Sequence, residues 1–123
     1  MPTRSLRSSV LKWPDAKTVD KAVRQWAQQV AQAHPGTRRI GYYGSYARGD
    51  WGVGSDVDLL VIVARSDRPF IERAAAWDAT GLPVPADLLV YTEGEWDAMV
   101  GQGRFSETVR REVMWVYSAE EKG

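Results

Sequence analysis

Gly44-Ser45-Tyr46-Ala47-Arg48-Gly49-Asp50-Trp51-Gly52-Val53-Gly54-Ser55-Asp56-Val57-Asp58-Leu59-Leu60-Val61-Ile62-Val63 is a glycine-rich loop running into an apolar strand that carries two carboxylates at its mouth. Side chains alternate along a strand, so Asp56, Asp58, Leu60 and Ile62 fall on one face and Val57, Leu59, Val61 and Val63 on the other. A run that is apolar on both faces belongs inside a sheet that is covered on both sides. The carboxylates then share one face beside apolar surface. Like charges so placed repel and lose hydration, and their ionisation is costly unless a cation or strong donors lie between them. A hard divalent ion such as Mg²⁺ takes oxygen ligands of this kind and commonly bridges protein carboxylates to substrate phosphates. Glycines let a backbone approach a ligand closely, and their amides can cradle phosphate oxygens.

Upstream of this stretch, Val19, Ala22, Val23, Trp26, Ala27, Val30 and Ala33 recur at spacings of three and four, which predicts an amphipathic helix. Asp15 is its expected N-cap and Pro35-Gly36 its stop. Arg39 to Tyr43 reads as a short strand that delivers the Gly44-Ser45 loop, and a helical turn is expected after that pair. Residues 1 to about 12 have no periodicity and read as an arm. Downstream, the strand from Val57 to about Ala64 gives way to Asp67-Arg68-Pro69, a helix start. Ile71, Ala74 and Ala75 are the expected inner face of that helix. Gly81-Leu82-Pro83-Val84-Pro85 is a connector, and Ala86 to Tyr91 is a third strand interrupted by one carboxylate, Asp87. Thr92 and Glu95 have the spacing of a capping box that opens a helix burying Trp96, Met99 and Val100. Gly101-Gln102-Gly103 breaks it, a further helix covers about Phe105 to Arg111, Val113 to Tyr117 is a last short strand, and 119–123 is a polar tail. This order predicts an α/β (α+β) domain, one small β-sheet flanked by helices, spanning residues 1–123 as a single unit. The first two strands are too close in sequence for a full crossover, so a mixed sheet is expected.

Composition narrows the chemistry. Among 123 residues, sixteen Lys+Arg offset sixteen Asp+Glu, which argues against extended coverage of a nucleic-acid backbone. With no cysteine, disulfides, zinc-thiolate sites and thiol catalysis are excluded. The single histidine, His34, sits at a helix end, where capping or surface exposure is the ordinary role. No apolar segment of signal-peptide or transmembrane length is present, so the expectation is a soluble cytoplasmic protein without membrane contact.

Gly44-Ser45, ten intervening residues, then Asp56-x-Asp58 ahead of an apolar strand resembles the signature of the nucleotidyltransferase superfamily that includes DNA polymerase beta. Gly-Ser-Tyr-Ala-Arg-Gly-Asp in a chain this short more narrowly resembles the minimal nucleotidyltransferases (MNT proteins). The resemblance covers about residues 38 to 91. It implies the polymerase beta-like fold and a mechanism in which Asp56 and Asp58 hold two Mg²⁺ ions and Gly44 and Ser45 bind the triphosphate of ATP. Arg48 and Ser55 are further candidate nucleotide contacts. Asp87 matches the family's third carboxylate, a metal ligand that takes the acceptor's proton. The resemblance also implies a partner: many minimal members act as antitoxins that adenylylate a tyrosine of a HEPN-domain ribonuclease toxin, as part of a hetero-oligomer or homo-oligomer.

Each residue also has an ordinary reading. Asp56 and Asp58 could be a turn and cap pair, and Asp87 a carboxylate bonded to backbone at a strand edge. Ser45 could be an N-cap for the turn, a role compatible with phosphate binding, and Arg48 an exposed partner of Asp50. Trp51 on its loop reads as packing more readily than as a base-stacking residue, and Tyr42, Tyr43, Trp26, Trp77, Trp96 and Trp115 as core or its margin. Gly52-x-Gly54 falls short of a dinucleotide fingerprint. Two functions compete with enzymatic adenylylation of a protein: a binding module that neutralises a partner by contact, and a small-molecule nucleotidyltransferase.

Overall fold

The computed structural model describes residues 13–119. The expected arm at 1–12 lies outside the described residues, as does the expected tail apart from Ala119. Helix α1 spans Ala16–Ala33 and begins as its sequence requires, with the Asp15 side chain accepting from the Thr18 N–H at 2.9 Å. Its stripe of Val19, Val23, Trp26 and Ala27 is buried, so burial of one apolar face rather than intrinsic propensity holds the helix in place. His34 caps its end, and the imidazole stacks on Trp77 with ring centroids 3.9 Å apart.

Strand β1 (Thr37–Tyr43) leads into the single turn α2 (Ser45–Arg48), and β2 (Val57–Val63) returns beside β1. After β2 come the short helix α3 (Phe70–Arg73), a 3₁₀ turn (Ala74–Ala76) and β3 (Ala86–Thr92). Two helices, α4 (Glu93–Ala98) and α5 (Arg104–Glu112), precede the final strand β4 (Met114–Ser118). The sheet order is β3-β2-β1-β4, with β2 antiparallel to β1 and parallel to β3, and β1 antiparallel to β4. This is the expected mixed sheet.

Strand β2 is interior, and its alternation divides the core. Val57, Leu59, Val61 and Val63 pack with α1 on one face. Leu60 and Ile62 pack on the other with Trp96 of α4 and Val109 of α5. Both sides are sealed, which is why the run needs no polar residue beyond its mouth. At Gly41 the last strand closes on the sheet so tightly that a Cβ would meet the Met114 carbonyl oxygen and the Val113 side chain at 2.8 Å.

Two packing expectations are corrected. Ile71 is 86% exposed and Ala75 is also exposed; the buried residue of α3 is Arg73. Its guanidinium makes a bidentate pair with Glu95 at 2.6 and 3.0 Å and also donates to the carbonyls of Val90 and Arg68. A charge in that position is stable because nearly every donor is used. In the second case Thr92 and Glu95 form the expected capping box and Trp96 is buried, but the helix ends at Ala98 and Val100 is left 61% exposed.

Candidate active site

The site forms where β1 ends and β2 begins, at one end of the sheet. Strand β1 ends at Tyr43, and Gly44 turns the backbone with φ +82° before α2 begins. That conformation suits glycine, and space demands it as well, because a Cβ there would collide with Asp58 Oδ2. The glycine in the motif therefore brings the chain against the second carboxylate. Gly44 itself is the N-cap of α2, with no side-chain cap, so Ser45 does not cap the turn. Its side chain instead lines a cleft of about 450 Å³ together with Gly44, Arg48, Ser55, Asp56 and Asp58.

Asp58 pairs in register with Asp87 across the parallel β2–β3 ladder, so the two side chains project to the same face of the sheet from strands about 5 Å apart. Asp56 precedes β2 and is exposed at the mouth of the cleft, while Asp58 is half-buried. Burial is the main cause that raises the Asp58 carboxyl above its ordinary range, followed by the charges of Asp87 and Asp56, with Arg48 opposing. Among the described residues none of the three aspartates makes a hydrogen bond or ion pair that relieves this repulsion. Asp87 is exposed at the rim and borders a second groove of about 690 Å³ on the outer side of β3.

The donor set is all oxygen, which suits a hard divalent cation, and the unrelieved repulsion at Asp58 is what a cation would cancel. Among the described residues no three ligand-type side chains close into a cage of their own. The arrangement thus fits an ion that draws part of its shell from substrate oxygens and water, as Mg²⁺ commonly does.

Other candidates have settled into loop structure. The Ser55 hydroxyl accepts from the Gly52 N–H at 2.8 Å and closes the 52–55 turn, leaving its own O–H to donate. Trp51 stacks on Tyr46 at 5.5 Å, so it packs. Arg48 pairs with Asp50 at 3.1 Å and with both oxygens of Glu112 at 3.2 Å.

Glu112, together with Tyr43, Phe105 and Thr108, lines the cleft, and sequence reasoning did not assign any of the four to it. The α5 residues follow one face of that helix at spacings of three and four. Tyr43 stays protonated, because burial and the charge of Asp58 raise its phenol well above the ordinary value; its O–H is available as a donor. One signal for Glu112 was present in the sequence. It ends a helix after Arg110 and Arg111, where the helix dipole disfavours an anion.

Residues 23–112 match the nucleotidyltransferase domain family, about three-quarters of the chain and the whole of the cleft just described. The chain belongs to the nucleotidyltransferase domain family. Among solved structures, a Sulfolobus solfataricus protein described as a nucleotidyltransferase superposes with a TM-score of 0.62 at 20% identity, covering 84% of this chain and 83% of that one. A toxin-antitoxin structure with AMP-PNP gives a TM-score of 0.49 at 16% identity over 79% of this chain and 74% of that one. A MntA-HpeT toxin-antitoxin variant gives 0.47 at 13% identity, with the same two coverages. No curated protein sequence matches the chain. The matched span contains the Gly44-Ser45 turn after β1, the Asp56 and Asp58 carboxylates at the start of β2 and Asp87 at the start of β3. No helix among the described residues is long and apolar enough to cross a membrane.

Proposed function

We propose that the protein transfers AMP from ATP to a hydroxyl acceptor, with Asp56 and Asp58 in the cleft and Asp87 at its rim holding two Mg²⁺ ions. The observation that carries this reading is the contact of Gly44 with the Asp58 carboxylate, in register with Asp87. It brings a backbone amide, which can donate to a phosphate oxygen, up to carboxylates that need a cation. When bound, the ions offset charge on the attacking and leaving oxygens of an in-line displacement. Gly44 and Ser45 hold the triphosphate, and Arg48 supplies a fork of donors to its oxygens. The acceptor oxygen forms a bond to the α-phosphorus as the bond to the bridging oxygen breaks, and pyrophosphate leaves. The acceptor's proton passes to the Asp87 carboxylate at the open rim, where a bulky acceptor can approach.

The acceptor in this reading is a tyrosine of a HEPN-domain ribonuclease toxin, and the protein is its cytoplasmic antitoxin. The support is the resemblance of Gly44-Ser45-Tyr46-Ala47-Arg48-Gly49-Asp50 to the minimal nucleotidyltransferases. Intact mass spectrometry of a HEPN toxin encoded beside this chain, after incubation with it, ATP and Mg²⁺, tests the proposal. Whole AMP increments that vanish with Asp56→Ala, Asp58→Ala are expected. An unmodified toxin that still binds and is neutralised would make the chain a contact inhibitor. AMP appearing on a metabolite instead would make it a small-molecule enzyme.

A further inference from the structure

Glu112 lies where a nucleotide's phosphates would lie. Its Oε1 accepts from the Gly44 N–H at 3.2 Å, and both of its oxygens accept from Arg48 Nη1 at 3.2 Å. Those two donors are the ones the nucleotide reading gives to the triphosphate. The carboxylate lines the same cleft as Asp56 and Asp58, and its side chain is only 16% exposed. Nothing local favours it there. An anion at the last residue of a helix opposes the dipole, and it adds negative charge to a face that already carries Asp58. A backbone N–H donates one strong hydrogen bond, so a phosphate oxygen that takes the Gly44 N–H must displace Glu112.

We propose that Glu112 is an internal stand-in for the phosphates: it keeps the Gly44 turn and the Arg48 fork ordered in the free protein and competes with the incoming triphosphate. This rests on the nucleotide reading above. A carboxylate is a good substitute because it is planar, anionic and acceptor-only, and it satisfies the same donors as a phosphate edge. It is also displaceable: Glu112 is sheltered, but its partner Arg48 is 46% exposed, and a hydrated guanidinium holds a carboxylate less firmly than a buried one. The competition makes Glu112 a residue that sets nucleotide affinity without itself contacting the reacting atoms.

The test is calorimetric titration of inorganic triphosphate, and separately of ATP with Mg²⁺, into the full chain, Glu112→Gln, Arg48→Ala and the double variant. Glutamine keeps the shape and removes the charge. The Gln variant is expected to bind inorganic triphosphate roughly three- to tenfold more tightly than the natural chain, the scale of losing one weak competing ion pair. In the Arg48→Ala background the same substitution should give a clearly smaller gain. A melting curve for each variant establishes that it is folded. Equal or weaker binding by folded Glu112→Gln would overturn the stand-in, leaving Glu112 as a loop brace or a further ligand while the nucleotide reading stands. Absence of binding by every variant to both probes would overturn both.

Discussion

Two arginine–glutamate pairs stand on this small sheet, and they are built for opposite purposes. Arg73 and Glu95 join α3 to α4 behind β3, with the arginine side chain 8% exposed and two backbone carbonyls sharing its remaining donors. Arg48 and Glu112 face each other across the cleft at longer distances, with the arginine 46% exposed and also shared with Asp50. Each pair has one sheltered member, Arg73 in the first and Glu112 in the second, but the guanidinium is buried only in the first, which is therefore the costlier to break. The contrast separates a pair that maintains the fold from a pair that, in the proposed reading, opens to a ligand.

The strongest attack on that division is at the cleft. Asp58→Asn should lower AMP transfer by about a thousandfold or more, on the order of 4 kcal/mol of transition-state stabilisation. The metal-free variant should nevertheless melt at an equal or higher temperature, because a half-buried charge facing Asp87 and Asp56 is gone. A lower melting temperature would show that the carboxylate has a structural role. On the scaffold side the sign reverses. Arg73→Ala leaves Glu95 and the Val90 carbonyl without their partner and should cost about 3 kcal/mol in urea unfolding. Its transfer rate per folded molecule should stay within twofold of the natural chain.

Acid sharpens the same comparison more gently. The paired guanidinium draws the Glu95 carboxyl down from 4.5 to about 2. A carboxylate whose pKa falls on folding contributes stability above its ordinary value and gives it up as pH drops through the folded value. Stability measured from pH 5 to pH 2 should therefore decline by about 1 kcal/mol from this group, after allowing for solvent screening of a side chain 42% exposed. Arg73→Met should flatten that part of the curve. The smallest effect belongs to the cleft's outermost charge: Asp50→Asn should alter unfolding free energy by less than about 0.5 kcal/mol, since both members of its pair are hydrated.

What could be read in advance followed the range of the interaction. The two faces of β2, the Asp15 cap and the Thr92–Glu95 box follow from residues within a few positions of one another, and the mixed sheet from the short connection between β1 and β2. Strand parity places Asp58 on the face of Leu60 and Ile62, but Asp56 lies one residue ahead of β2 and reaches the same cleft from the loop. Arg73 could not be read that way. In sequence α3 offers Ile71, Ala74 and Ala75 as an apolar stripe, yet the helix lasts one turn and its burial is decided by Glu95 and Val90, 22 and 17 residues away. Val100 misled for a related reason, since the expected stripe outran the end of α4. Glu112 meets Gly44 across 68 residues, and only closure of α5 over the end of β1 makes them neighbours. Local periodicity finds the elements and the carboxylate pair but does not find which distant side chain completes the cleft.

That same separation divides the cleft between a part local in sequence and a part that depends on long-range closure, and local contacts close at lower entropic cost. The carboxylates and the glycine turn lie within fifteen positions, Gly44 to Asp58, on two strands that pair as a hairpin, the kind of contact that forms early. The opposite wall comes from α5, whose Val109 shares a core cluster with Trp115 of β4, and β4 docks on β1 where Gly41 leaves no room for a side chain. The residues up to the end of β3 include the three aspartates and the Gly44 and Arg48 donors, but not Glu112, which accepts from both donors. The wall lined by Phe105, Thr108 and Glu112, and any restraint that Glu112 places on the cleft, therefore belong to the chain beyond β3.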